Sequence, residues 1–337
     1  MSVKKSGSQS RLRWKDKYVS KEHQRLDLLA ALSGVMIALQ ARANGELSSA
    51  LDNGVQAALI SFGSGLLIIA IVAIFSPSIK AGARNLRRAV AAREIPPLTL
   101  FAGVLGGTFV AIQTHVVPVI GVAIYSVASI AGQTAASLAV DRWGITGGGK
   151  KKITFRRTAA AIFTVLAVFI SVVDRIDSKS LSLFAVFLAG IAGMVVGVQR
   201  ALNGLINEHS QQSFTTSFLN FLMGTSFLVL FLSAKILFTS TELVPLPSGP
   251  WWMYTGGVIG VVYIAFTSKI VQHLGVLTFT LFSVGGNLVG SLLIDIYSPT
   301  DGVQISAYLV IGIAMTYLGV IVGGVNNSQS RKLLKQQ

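Results

Sequence analysis

Two short stretches carry the same polar residues at the same spacing inside apolar surroundings. Gln40 and Asn44 lie in ALQARANGEL (38–47), and Gln199 and Asn203 lie in GVQRALNGLI (197–206). Residues four apart share a helix face, so each pair sets two amides on one line. Amides donate and accept hydrogen bonds but carry no charge. The chemistry on offer is recognition of a polar solute rather than bond-making. A second pair of stripes repeats the offer. Tyr125, Ser129, Gln133 and Ser137 recur at every fourth position and end at Asp141, and Phe279, Ser283, Asn287 and Ser291 do the same and end at Asp295. Steps of four advance about 400°, so each set is one slowly drifting stripe able to line a cavity. Serines and amides also join helices, at about 0.6–2 kcal/mol per bond, and the serines alone suit that role. The candidate substrate-pathway residues are Gln40, Asn44, Gln199, Asn203, Gln133, Asn287, Tyr125, Ser129 and Ser283.

Other chemistries find little support. The chain has no cysteine and only four histidines, scattered, so no thiol, metal-ligand or catalytic cluster emerges. The sequence calls for no catalytic residue, no cofactor and no metal. GITGGGKK (144–151) has the spacing of a phosphate loop. It lacks the Ser or Thr after the lysine and follows an apolar helix rather than a strand, and a basic hinge loop accounts for it. Asp27, Glu46, Asp141, Glu208 and Asp295 fall near predicted helix ends. No carboxylate stands at a midplane, where desolvation would bring its pKa into a useful range. His115 and Lys269 occupy matching positions near helix ends and read as loop or snorkelling residues.

Apolar helices must position these amides. Among 337 residues only 12% are charged and 52% are hydrophobic, and mean hydropathy is +0.66. A soluble domain carries about 25% charged residues. A bilayer-spanning helix needs about 20 mostly apolar residues. Uncharged runs of that kind recur from Leu26 to Ser330, with a break at Pro118–Gly121, and predict ten helices. They are continuous runs, not the alternating segments of a β-barrel. The net charge of +15 is concentrated in the N-terminal tail, in the loops after predicted helices two (Lys80, Arg84, Arg87, Arg88, Arg93) and four (Lys150, Lys151, Lys152), and at the C-terminus (Arg331, Lys332, Lys335). All four segments fall on one side of a ten-helix topology, which puts both termini in the cytoplasm. No aromatic-basic motif supports nucleic-acid binding.

The chain also repeats itself. Gly34, Gln40, Asn44, Gly45, Phe62 and Gly65 match Gly193, Gln199, Asn203, Gly204, Phe221 and Gly224 at one constant offset. Gly103, Gly106, Gly121, Ser129, Gly132 and Asp141 match Gly257, Gly260, Gly275, Ser283, Gly286 and Asp295 at a slightly smaller one. The expected fold is therefore all-α, with ten transmembrane helices arranged as two inverted five-helix repeats, because an odd number of crossings turns the second copy upside down. The expected division is 1–25 basic tail, 26–175 first repeat, 176–325 second repeat and 326–337 C-terminal tail. Inverted repeats are typical of secondary transporters, whose sites lie between the repeats near the midplane.

Five-plus-five helices, the basic tail and the repeated Q-x-x-x-N-G resemble the drug/metabolite transporter superfamily, in its YdcZ-like branch, over Leu26 to Gly324. That resemblance implies a carrier whose first four helices in each half enclose the pathway while the fifth stays peripheral. It also implies a bacterial plasma membrane. The small multidrug exporters of the superfamily place a glutamate in the first helix, whereas this chain has Gln40, Asn44, Gln199 and Asn203. Neutral polar, zwitterionic or anionic solutes suit such amides. The expected function is a secondary transporter of small organic metabolites or drugs, not an enzyme. The expected partners are a small-molecule substrate and membrane lipids, with a homodimer through helices five and ten. The alternative is a non-transporting membrane scaffold or regulator with basic cytoplasmic loops. Arg42 and Arg200, offset by two in the motif alignment, read as interface anchors at helix ends.

Overall fold

Runs of Leu, Ile, Val and Ala leave the backbone one way to satisfy its polar groups in an apolar surround, the α-helix. A computed structural model describes residues 6–144, 153–175, 182–239, 241–264, 276–300 and 304–324. Lys150–Lys152, Lys179, Lys269, Gly275, Arg331, Lys332 and Lys335 lie outside the described residues, as do the side chains of residues 6–23 and of Asp141. The helices are α1 (Ser6–Leu51), α2 (Gly54–Phe75), α3 (Pro77–Ala91), α4 (Ala102–Trp143) and α5 (Phe155–Val172). They continue as α6 (Leu183–Ser210), α7 (Ser213–Thr239), α8 (Trp251–Ile264), α9 (Val276–Tyr297) and α10 (Ala307–Gly324). No strand occurs among the described residues. Seven described stretches are long and apolar enough to cross a membrane, and Trp251–Ile264 and Ala307–Val322 are shorter apolar helices.

Two elements depart from the hydropathy pattern. First, α1 continues to Leu51, past the polar motif at its end. Second, the basic segment after α2 is not a loop but the helix α3. Pro77 opens it, and Ile79, Gly82, Leu86 and Ala89 form a buried face. The expected break at Pro118–Gly121 is present: α4 is two helices joined at Gly121, which adopts φ 80° and ψ 168°. A straight helix would put Phe109 and Tyr125 about 24 Å apart at 1.5 Å per residue. Their rings sit 6.3 Å apart. The chain therefore doubles back at Gly121, and the two arms of α4 lie side by side. Only glycine adopts that left-handed backbone without a Cβ penalty.

The two halves of the chain meet through contacts that occur twice. A Cβ on Gly34 would overlap the Ser283 carbonyl, and one on Gly193 would overlap the Ser129 carbonyl. Gly286 seats against Ala31 as Gly132 seats against Gly190. Gly65 receives the Phe221 ring and Gly224 receives the Phe62 ring, and those rings touch each other with centroids 5.3 Å apart. Each contact turns into the other when sequence-equivalent residues of the halves are exchanged, which is the signature of a two-fold relation. Along α2 and α7 the pairing 62–224 and 65–221 runs in opposite directions, so these equivalent helices are antiparallel. The tight turns match as well: Asp52 before α2 and Gln211 before α7, equivalent by the same offset, both have positive φ (46° and 56°). α5 and α10 pack on each other through Gly312 against Ala167 and Ser171, and Gly319 against Thr164.

The core fills the space between α1, the second arm of α4, α6 and α9, with Ala38, Ile124, Val127, Ala189 and Leu288 buried. Outward faces are apolar too, with Leu67, Phe75, Phe155, Phe169, Leu230 and Phe238 exposed. That belt is what a lipid-facing surface presents.

Candidate functional site

Small residues bring the helices close enough for the amides to meet. Gln40 lies against Gly260 on α8, and Gln199 lies against the equivalent Gly106 on α4. From there the two glutamines differ. Gln40 donates through Nε2 to the Gly256 carbonyl at 2.9 Å. Gln199 donates to Asn220 Oδ1 at 2.8 Å.

Asn44 is fully buried and donates through Nδ2 to Gln113 Oε1 at 3.2 Å. Among the described residues, its own Oδ1 and Gln113 Nε2 have no hydrogen-bond partner. The Tyr125 hydroxyl stands beside Ser129 and Gln113. Two amides joined by a single bond always leave one carbonyl and one NH2 unpaired, whichever way both are turned. Leaving a buried polar group unpaired costs about 1–3 kcal/mol, so this cluster is held at a cost to the folded state shown. Gln113 is the residue the sequence reading missed. It belongs to neither the repeated motif nor the stripes, and its equivalent position, residue 267, lies outside the described residues.

The stripe on α9 is packed rather than open. Ser283, Asn287 and Ser291 are all buried. Ser283 Oγ lies 3.5 Å from Ser33 Oγ on α1, and Asn287 Oδ1 lies 3.5 Å from Ser126 Oγ on α4. The α4 stripe divides. Tyr125 and Ser129 are buried, while Gln133 and Ser137 are half-buried. Gln133 donates to Ser129 Oγ at 3.3 Å and accepts from Arg200 Nη1. Asn203 is half-buried, and its Oδ1 has no partner among the described residues.

The arginines are not simple anchors. Arg42 pairs with Glu46 at 2.8 Å, donates to Ser298 Oγ at 3.1 Å and lies over the Trp252 ring at 5.5 Å. These contacts tie α1 to α8 and to the end of α9. Arg200 is exposed and reaches back to Gln133.

Asp295 stands near the end of α9, as expected, but is buried there, with only 2% of it exposed. Its Oδ1 accepts from the Val122 amide at 3.1 Å and its Oδ2 from the Ala123 amide at 2.7 Å. Those are the first amides after the reversal at Gly121, the open N-terminus of a helix. Such amides have no partner within their own helix and carry partial positive charge. A carboxylate is the acceptor that suits them in an apolar surround.

These contacts distinguish the two ends of the molecule. At the end where α1 meets the α4 reversal, a Cβ on Gly45 would lie 2.7 Å from Val117, and Asn44, Arg42 and Asp295 are packed in. At the opposite end, a Cβ on the equivalent Gly204 would meet no described atom within 4 Å, and residue 271, the equivalent of Val117, lies outside the described residues. No group of three or more metal-ligating residues occurs among the described residues.

Comparison with known proteins agrees with this architecture. A family model with the printed description "Putative inner membrane exporter, YdcZ" matches residues 26–170 and again 184–322. The two matches mark the two copies of the repeat. No curated protein matches the chain. One solved structure, described only as "Crystal structure of protein", aligns over 91% of this chain and 97% of its own at 14% identity, with a TM-score of 0.49. At that likeness it carries no argument.

Proposed function

Because the chain belongs to the DMT_YdcZ family, we propose that it is a secondary transporter that moves small organic metabolites or drugs across the bacterial plasma membrane by alternating access. Counting the arms of α4 as two crossings and adding α8 and α10 gives ten crossings. The two halves then form an inverted repeat, with the pseudo-two-fold axis passing between Phe62 and Phe221 in the membrane plane. The basic residues of α3 and of the tails put both termini in the cytoplasm. The end sealed by Arg42, Asn44 and Asp295 then faces outward, and the looser end at Gln133, Asn203 and Gly204 faces inward.

One observation carries this reading: equivalent residues of a two-fold pair sit in unlike environments, Gly45 packed and Gly204 with no described atom within 4 Å of a Cβ position. A merely stable bundle of duplicated halves has no reason to close one end and leave the other loose. A carrier stopped in one state does, because exchanging the conformations of the halves gives the opposite state at similar energy.

Transport follows from the polar inventory. Substrate enters at the loose end and meets Gln133 and Asn203, then Gln199 and Gln40 deeper in. Asn44, Tyr125, Ser129, Ser283 and Asn287 become accessible when the sealed end opens. Hydrogen bonds from amides and hydroxyls, with no fixed interior charge on the path, suit neutral polar or zwitterionic solutes, and Arg200 at the mouth admits anions.

The test is flux in reconstituted vesicles loaded with a metabolite extract and read by untargeted mass spectrometry. Wild type is expected to deplete specific solutes, and Gln133→Ala and Asn287→Ala to slow that depletion. Undiminished flux in both variants overturns the pathway assignment. A wild type that moves nothing overturns the transporter reading itself.

A further inference from the structure

We propose that α3 and the bend that follows it form a docking site for the headgroups of anionic phospholipids. The helix is placed for it. Ile74 and Phe75, just before α3, and Leu98 and Phe101, just after it, are exposed apolar side chains. Both ends of α3 are therefore tied to residues at the edge of the hydrocarbon, and the helix lies at headgroup level.

Its two faces have separate tasks. Ile79, Gly82, Leu86 and Ala89 are buried. Leu86 and Ala89 pack with Ile206 and Leu202 on the flank of α6. Thr215 Oγ1 donates to the Ile79 carbonyl at 3.0 Å, and Asn85 Nδ2 reaches the Ser210 carbonyl at 3.4 Å. The opposite face carries Lys80, Arg84, Arg87 and Arg88, all exposed, within an arc of about 100° at 3.6 residues per turn. Lys80 Nζ donates to the Ile74 carbonyl at 2.9 Å. None of these four, nor Arg93, is in an ion pair with a described residue, and the neighbouring Glu94 is exposed and paired with none of them. A one-signed row at headgroup level attracts anionic lipid.

The bend after the helix is more specific. The Glu94 amide donates to the Ala89 carbonyl at 2.9 Å and the Arg93 amide to the Val90 carbonyl at 3.1 Å. That is the hydrogen-bond pattern of a Schellman cap, whose left-handed position is normally glycine. Here Arg93 holds it at φ 59°. A side chain kept where glycine would be less strained needs a use. Beside it opens a hollow of about 400 Å³ lined by Val90, Ala91, Arg93, Ile95, Pro96 and Pro97. Apolar walls with a guanidinium at the rim fit the phosphate and first acyl carbons of a phospholipid. The second half has no such device, because its equivalent segment, 241–250, is not helical.

The test follows thermal unfolding in vesicles of phosphatidylcholine, with or without an equal part of phosphatidylglycerol. Wild type is expected to unfold several degrees higher with phosphatidylglycerol, and added salt to erode that shift. Arg84→Gln/Arg87→Gln/Arg88→Gln is expected to lose most of the shift. Arg93→Gly is expected to lose part of it while unfolding no lower than wild type in phosphatidylcholine alone, because glycine relieves the bend. The second variant decides the matter if the first does not fold. The proposal is overturned if phosphatidylglycerol gives no shift, if both variants keep the full shift, or if inorganic phosphate added to phosphatidylcholine vesicles reproduces it.

Discussion

Gln40-to-Gly45 and Gln199-to-Gly204 are copies of one motif in unlike surroundings. In the first copy the asparagine is fully buried, and the glycine is pressed against Val117 at the α4 reversal. In the second copy the asparagine is half-buried, and a Cβ on the glycine would meet no described atom within 4 Å. The same residues on the same helix position make different contacts because the packing around them differs, not because their own chemistry does. Under the proposed alternating-access reading, unlike surroundings for equivalent parts correspond to one of two states.

The comparison can be broken most severely at its sealed end. Asp295→Ala leaves the Val122 and Ala123 amides without their acceptor. It is expected to destabilise by about 3–5 kcal/mol, read as a large drop in the unfolding temperature, with Asp295→Asn intermediate. A wild-type unfolding temperature in Asp295→Ala would remove this carboxylate from the seal. Next come the paired close approaches. Gly34→Ala and Gly193→Ala should each cost about 1–3 kcal/mol by overpacking, and by similar amounts, because each would push a Cβ into an equivalent carbonyl. A cost at one site only would dismiss the two-fold relation there.

Smaller effects sharpen the contrast. Gly204→Ala adds a methyl inside a helix where no described atom lies within 4 Å and is expected to stabilise by about 0.5–1 kcal/mol, whereas Gly45→Ala, facing Val117, should destabilise. Equal signs would erase the difference between the ends. The chain has no native cysteine, so labelling offers the finest probe. A maleimide is expected to modify Asn203→Cys faster than Asn44→Cys, and conditions that load substrate from the other side should narrow the gap. Equal rates under every condition would mean that neither end opens selectively.

How much of this was legible in the sequence follows from range. The helices, the duplication and the break near Gly121 rest on local pattern and could be read. So could the equivalence of Gln40 with Gln199 and of Gly106 with Gly260, though not that Gln40 touches Gly260 and Gln199 touches Gly106. Gln113 could not be singled out, because it belongs to neither the repeated motif nor the four-residue stripes and its partner Asn44 comes from α1. Asp295 read as a helix-end carboxylate because its acceptor role depends on amides far away in the chain. α3 read as a loop because its charges hid a four-residue apolar face that only the flank of α6 reveals. Which copy of a repeated motif is buried is a property of the conformation, and no residue type records it.

The reversal at Gly121 has a consequence for how the protein is made. Its two apolar arms are separated by one residue that departs from helical geometry. No polar loop exists there to be carried across the bilayer ahead of the second arm, and the Val122 and Ala123 amides at the bend find their acceptor only on α9. The amides at the tip of that pair of arms therefore meet the Asp295 carboxylate only once the ninth helix has been synthesised. Assembly of the first half is finished by the second.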